Sequence, residues 1–184
     1  MADLVVSRTS ALAELSLPSK SGVAVVTDPG AATRFVYRGA AGAFPMSFGV
    51  ALPTAPMRAQ VAGSRAALWL GPDEWLLLAP DAEATPGISL ATELAGQPAS
   101  LVDVGHRQIG LVVAGPRAAD LINSGCSLDL DLAAFPVGMC TRTILAKVEL
   151  VLWRTADDTF RIEVARSLAP YVIELLREAM FGVA

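Results

Sequence analysis

His106 is the only histidine in the chain, and it sits between Asp103 and Arg107. An aspartate beside a histidine can tune a base, and an adjacent arginine can bind a carboxylate. No nucleophile accompanies the three, and polar residues between strands commonly satisfy backbone groups. The structural reading of this cluster is therefore preferred. One histidine rules out a two-histidine metal site. Cys126 and Cys140 have no cysteine or histidine neighbour at ligand spacing. Of the acidic pairs, Asp157-Asp158 sits in a predicted hairpin turn, Asp129 and Asp131 alternate with Leu128, Leu130 and Leu132 as a short solvent edge, and Asp73-Glu74 follows a turn proline, so each reads as structural. The sequence carries no hydrolase nucleophile elbow. It has no P-loop and no dinucleotide fingerprint, and Gly39-Ala-Ala-Gly42 is an isolated glycine pair. The expectation is a chain with no catalytic, cofactor-binding or metal-binding residue of its own.

The elements that carry these residues read as strands with few helices. Val23–Thr27 is a short apolar run closed by Asp28-Pro29-Gly30. Thr33–Arg38 alternates, with Phe35 and Tyr37 on one face and Arg34, Val36 and Arg38 on the other. Residues 39–56 read as a loop with a short strand at Met46–Val50. Arg65–Leu70 and Glu74–Ala79 form two strands around Gly71-Pro72-Asp73. A short helix over Ile88–Leu94 follows a linker. The strands Ala99–Val104 and Arg107–Ala114 come next, then a helix between Pro116 and Gly125, a pairing that matches the usual end residues. Strands at Arg142–Ala146, Val148–Trp153 and Thr159–Val164 precede a last helix. That helix is capped by Ser167, has Pro170 in its first turn, and ends near Met180.

Helices among antiparallel strands predict an α+β fold of ferredoxin-like sandwich type. The predicted division is an N-terminal segment 1–21, a first half 22–87 and a second half 88–184. No internal repeat is visible. In the last hairpin, pairing Glu149 with Glu163 would oppose like charges. A shift of two residues keeps the apolar face and sets Trp153 opposite Arg161, where a cation–π contact becomes available. The shifted register is predicted.

The composition is apolar, with 53% hydrophobic and 17% charged residues, against roughly 45–50% and 25% in ordinary soluble chains. Leftover apolar surface marks partner sites. The 32 alanines and the excess of 12 arginines over 2 lysines are equally compatible with a GC-rich genome. In the last helix, Leu168, Val172, Leu175, Leu176 and Ala179 form a docking stripe. Ile173 and Met180 widen the apolar arc to roughly 200°, more than a surface helix needs. Either a second element of the same chain or a partner subunit covers that flank. Ile173, Met180, His106 and Arg107 are thus the candidate partner-facing residues. A net charge of −4 with scattered arginines argues against nucleic acid. No apolar run approaches the ~20 residues of a membrane span. No secretory signal is visible, and two cysteines then read as buried thiols in a reducing cytoplasm.

A wider pattern runs through the chain. Leu101-Val-Asp-Val-Gly-His-Arg, Gly115-Pro-Arg-Ala-Ala-Asp-Leu and Gly125-Cys-Ser-Leu-Asp-Leu-Asp-Leu resemble the gamma-subunit family of heterotetrameric sarcosine oxidase. So do Arg142-Thr-Ile-Leu-Ala-Lys, Asp157-Asp-Thr-Phe-Arg, Arg166-Ser-Leu-Ala-Pro-Tyr and Leu68-Trp-Leu-Gly-Pro-Asp-Glu-Trp-Leu-Leu-Leu. Gly105 stands where serine is expected, and Leu168 where phenylalanine is usual. The resemblance implies a complex of alpha, beta, gamma and delta subunits. That complex demethylates sarcosine oxidatively to glycine, reduces oxygen to hydrogen peroxide, and passes the methyl carbon to tetrahydrofolate. It implies FAD, FMN, NAD and folate in the alpha and beta subunits, zinc in delta, and a fold similar to the folate-binding region of the glycine-cleavage T-protein. A stand-alone folate-binding or aminomethyl-transfer protein is the rival reading.

Overall fold

The alternation that predicts a strand at residues 33–38 also sets the layering, because its two faces enter different cores. A computed structural model describes residues 10–81 and 86–183. Strand β3 (Ala32–Arg38) sends Phe35 and Tyr37 into one apolar cluster and Val36 into another. It lies inside a five-stranded sheet with β4 (Ala59–Ala62), β5 (Arg65–Gly71), β6 (Glu74–Pro80) and β7 (Ser100–Asp103). The order is β4-β5-β6-β3-β7. A six-stranded sheet joins β1 (Ser19–Lys20), β2 (Ala24–Thr27), β8 (Gln108–Ala114), β9 (Cys140–Leu145), β10 (Val148–Ala156) and β11 (Thr159–Ala165) in the order β1-β2-β8-β11-β10-β9. Every pairing in both sheets is antiparallel.

The two sheets share a plan. Around β8, the order β2-β8-β11-β10 repeats the order β7-β3-β6-β5 around β3, and β9 and β4 each add an outer strand. Both sets of four follow the arrangement expected of ferredoxin-like halves. In the six-stranded sheet the fourth strand, β2, is supplied from outside the run β8–β11, whereas β7 closes the continuous run β3–β7. β2 leads directly into β3 of the other sheet, and β7 leads into β8. The halves therefore differ from those predicted. The segment 88–103, with its helix and β7, completes the first half, and residues 19–27 belong to the second. A repeat that is invisible in residue identities is present in topology.

Helices cover the outer faces. On the six-stranded sheet, α2 (Ala118–Asn123) and α3 (Ala169–Gly182) bury Leu121, Ile122, Val172, Ile173, Leu176 and Met180 against Leu111, Val113, Leu150, Leu152, Ile162 and Val164. Each fully buried aliphatic side chain contributes about 1.5–3 kcal/mol. On the five-stranded sheet, α1 (Pro86–Glu93) and the loop from residue 41 to 52 place Leu90, Phe44, Phe48 and Val50 over Tyr37, Trp75 and Leu77. Between the sheets lies a third cluster, in which Ala66, Leu68, Leu76 and Leu78 meet Cys140 and Val151. The sheets are also tied by backbone. Arg58 bridges Met139, the Cys140 N–H donates to the Met57 carbonyl at 2.9 Å, and the Ala59 N–H donates to that of Gly138 at 2.8 Å.

The predicted register holds in the last hairpin. Trp153 faces Arg161, Leu152 faces Ile162, and Glu163 lies opposite Val151 rather than Glu149. The Arg161 guanidinium turns instead to Glu163, 2.7 Å away. A full charge outcompetes a ring quadrupole when both are in reach. Two local predictions differ. Met46–Phe48 is a 3-10 turn rather than a strand, entered by Pro45 and left through Gly49 at φ 80°. Ser167 does not cap the last helix. A 3-10 turn over Arg166–Leu168 runs into α3, and no side-chain cap is made. Ahead of β1 the chain makes hydrogen-bonded turns, with the Ala13 N–H donating to the Ser10 carbonyl and the Leu15 N–H to that of Leu12.

Candidate functional site: a cleft where the sheets open

Two buried carboxylates organise the charged residues between the sheets. Glu163 on β11 accepts from Arg34 Nε of β3 at 2.5 Å and from Arg161 Nε at 2.7 Å. Its side chain is 1% exposed and that of Arg34 is 4% exposed. Burying ions is costly unless they are paired and hydrogen-bonded, and here one carboxylate serves two guanidiniums. Gly110 makes the crossing feasible. It lies opposite Glu163 in the ladder, and a Cβ there would stand 3.1 Å from Arg34 Nη2 and 2.9 Å from Pro29 Cγ. Glu74 forms the second link, accepting from Arg142 Nη2 on β9 at 2.5 Å and Arg38 Nη2 at 2.7 Å. Arg38 and Arg142 are largely solvated, so this pair is worth less than the first.

Arg34 lines a cleft of about 280 Å³, together with Asp28, His106, Gln108, Gly110 and Arg166. Asp28 is committed: Oδ2 accepts from the Ser10 hydroxyl at 2.5 Å and Oδ1 from the Gly30 N–H at 2.8 Å. Of the predicted cluster, Asp103 Oδ1 accepts from the Gly105 N–H at 2.7 Å, a local turn contact. His106 and Arg107 are exposed at the cleft mouth. Among the described residues no hydrogen bond joins His106 to Asp103. No group of three His, Cys, Asp or Glu is placed to hold a metal among them either. Asp129 and Asp131 cap backbone N–H groups two residues ahead, and Asp157-Asp158 form the β10–β11 turn.

Both cysteines are buried and unbridged. Burial pushes the Cys140 thiol up to about 12 from 9.0. Because the folded thiol holds its proton while the unfolded one loses it, its contribution to stability is complete below pH 9 and falls away between pH 9 and 12. The thiolate is the reactive form. Native protein at pH 8 therefore resists iodoacetamide at Cys140, whereas urea-unfolded protein reacts within minutes. Mass spectrometry of the alkylated chain decides it, and equal labelling of native and unfolded protein would contradict the burial.

The sequence model of the "Sarcosine oxidase, gamma subunit family" matches residues 34–181. The chain belongs to that family. The gamma subunit of sarcosine oxidase from an Arthrobacter species is 31% identical over 170 residues, covering 88% of this chain and 82% of that one. The gamma subunit of Corynebacterium sp. strain P-1 is 35% identical over 127 residues, covering 65% of this chain and 60% of its own length. The heterotetrameric sarcosine oxidase of Corynebacterium sp. U-96, solved in complex with pyrrole 2-carboxylate, contains a chain that superposes with a TM-score of 0.86 at 28% identity, covering 95% of both. The glycine-cleavage aminomethyltransferase T of Bartonella henselae matches 84% of this chain and 45% of its own at TM-score 0.62 and 14% identity, a likeness of fold.

For this sarcosine oxidase gamma subunit, two partner-facing expectations need correction. Ile173 is 1% and Met180 5% exposed, and both lie in the core under α3 with Leu12, Val23 and Val26. The N-terminal segment of the same chain closes that flank. Lys20 Nζ reinforces it by donating to the Met180 carbonyl at 2.7 Å. The exposed apolar side chains lie elsewhere. Val61, Val102 and Ile144 stand on the outermost strands β4, β7 and β9, and Tyr171 and Phe181 stand on the outer side of α3. Edge strands without a pairing neighbour are open to partners. Alternation could not single out these residues, because an exposed apolar position reads the same as a buried one.

Proposed function

We propose that the chain acts as a non-catalytic structural support within sarcosine oxidase, packed against alpha, beta and delta subunits. The observation that carries this is the match, over 95% of both chains, to a chain of a heterotetrameric sarcosine oxidase. In this reading the partners hold FAD, FMN, NAD, tetrahydrofolate and zinc. The complex, not this chain, oxidises sarcosine to glycine and forms hydrogen peroxide and methylene-tetrahydrofolate. The apolar residues left exposed on outer strands and on α3 suit such a role, since outer strands are open to pairing with partners. No helix among the described residues is long and apolar enough to cross a membrane. Two free, buried thiols agree with assembly in the cytoplasm.

Affinity purification of the tagged chain from its native host tests this reading. The expected eluate contains larger subunits and shows flavin absorbance. Isothermal titration of the chain alone with tetrahydrofolate tests the rival reading. The expected result is no saturable heat in the micromolar range. Micromolar binding would favour a folate protein that works by itself.

A further inference from the structure

The cleft over Arg34 has a charge that does not suit an acidic chain. Arg34 spends Nε on Glu163 and Nη1 on the Ala32 carbonyl at 2.9 Å. Its Nη2 has no partner among the described residues, on a side chain that is 4% exposed and lines the cleft. Glu163 cannot neutralise it alone, because the same carboxylate also holds Arg161. At the mouth, the Arg166 N–H donates to the Arg107 carbonyl at 2.8 Å, so the two arginines stem from adjoining backbone. Neither guanidinium has an ion pair among the described residues. His106 and Arg166 line both this cleft and a shallower one beside Arg107 and Ser167. Arg107 and Leu168 continue the trough between the sheets. Asp28, the opposing acid at the cleft, has both oxygens engaged. Exposed Leu168, in the same 3-10 turn as Arg166, and Tyr171, in the first turn of α3, follow closely in sequence. Arginine and tyrosine beside apolar side chains are the composition of an interface core.

We propose that this trough receives an acidic segment of another sarcosine oxidase subunit, one of whose carboxylates enters the cleft and pairs with Arg34 Nη2 and Arg166. The proposal rests on the subunit reading above and adds the place and chemistry of one contact. Arg34 is held by Glu163 and Ala32, so its remaining donor nitrogen, Nη2, is fixed before binding. Arg107 and Arg166 supply the long-range attraction that guides an anionic segment in.

The test uses the complete complex. The chain is co-expressed with its partner subunits, the flavin-containing partner is captured, and the retained chain is quantified across a salt series from about 0.1 to 1 M. Arg107→Glu/Arg166→Glu is expected to reduce retention at least about ten-fold at the lowest salt, and Arg107→Gln/Arg166→Gln less. Both side chains are exposed, so the melting temperature of either variant stays near that of the parent. Retention of the charge-reversed variant equal to the parent at every salt overturns the proposal. If the dialysed parent complex loses the chain and sodium acetate restores it, the cleft takes a free carboxylate and the proposal also fails. If Asp3→Asn in this chain reproduces the loss, the chain's own N-terminal segment is the occupant, which likewise overturns the proposal. Failure of the unmodified chain to co-purify at all would instead sink the subunit reading itself.

Discussion

Glu163→Gln lowers the free energy of unfolding by about 3–5 kcal/mol, the scale seen when one member of a buried ion pair is removed. Glutamine keeps the shape of the side chain and one carbonyl oxygen, so packing changes little. What is lost is the charge that compensates Arg34, which is 3% exposed. Arg34 cannot escape to water without pulling β3 from between β6 and β7, since Phe35 and Tyr37 on either side of Val36 are locked in the opposite core. Urea denaturation at pH 7 should show a lower midpoint with an unchanged slope. The double variant Arg34→Met/Glu163→Met should lose less than Glu163→Gln alone, because it removes the buried Arg34 charge together with its carboxylate and leaves only the less buried Arg161 to turn to water. A loss under about 1 kcal/mol for Glu163→Gln would mean that the pair is not buried in solution.

Gly115→Ala should cost about 3 kcal/mol or more, which corresponds to a fall of roughly 6–12 °C in melting temperature for a chain of this size. Gly115 has φ +145°, and an added Cβ would stand 2.6 Å from the Val23 carbonyl oxygen and 2.7 Å from the Ala24 Cα. Those are backbone atoms of the segment entering β2, and they cannot rotate aside as a side chain could. The close approach exists because β2 crosses the end of β8, where Val25 pairs with Ala114. The Arg117 N–H returns a hydrogen bond to Val23 at 3.0 Å. Gly42, with open space around its Cα, is the control, and Gly42→Ala should change stability by no more than about 0.5 kcal/mol. Equal effects of the two substitutions would show that residues 24–27 do not join the second sheet.

The strands of this protein are legible because alternation is a local property. Thr33–Arg38 reads as a strand from its own six residues, and β10 with β11 even disclose their register. Sliding them toward the alternative would set Glu149 against Glu163, and like charges across a ladder repel. β4 escaped this reasoning. Ala-Gln-Val-Ala carries no apolar stripe, and these four residues are strand only because β5 offers an open row of backbone partners. Met46–Val50 failed for the opposite reason. It is apolar and partly buried as a strand should be, but Pro45 and the left-handed Gly49 turn it too tightly to extend.

By itself, the sequence determined an α+β chain of antiparallel strands and, through motifs spread from Leu68 to Tyr171, the gamma-subunit resemblance. Only the tertiary structure decided which strands complete which sheet, and hence that β2 crosses to the sheet of β8–β11 while β7 stays with β3–β6. It also decided that residues 12–26 of the same chain cover Ile173 and Met180. An apolar arc records that a face must leave water; it carries no mark of what will cover it. The same holds for Arg34 and Glu163, 129 positions apart. Their pairing depends on two sheets closing with a glycine between them, and no local pattern encodes that distance.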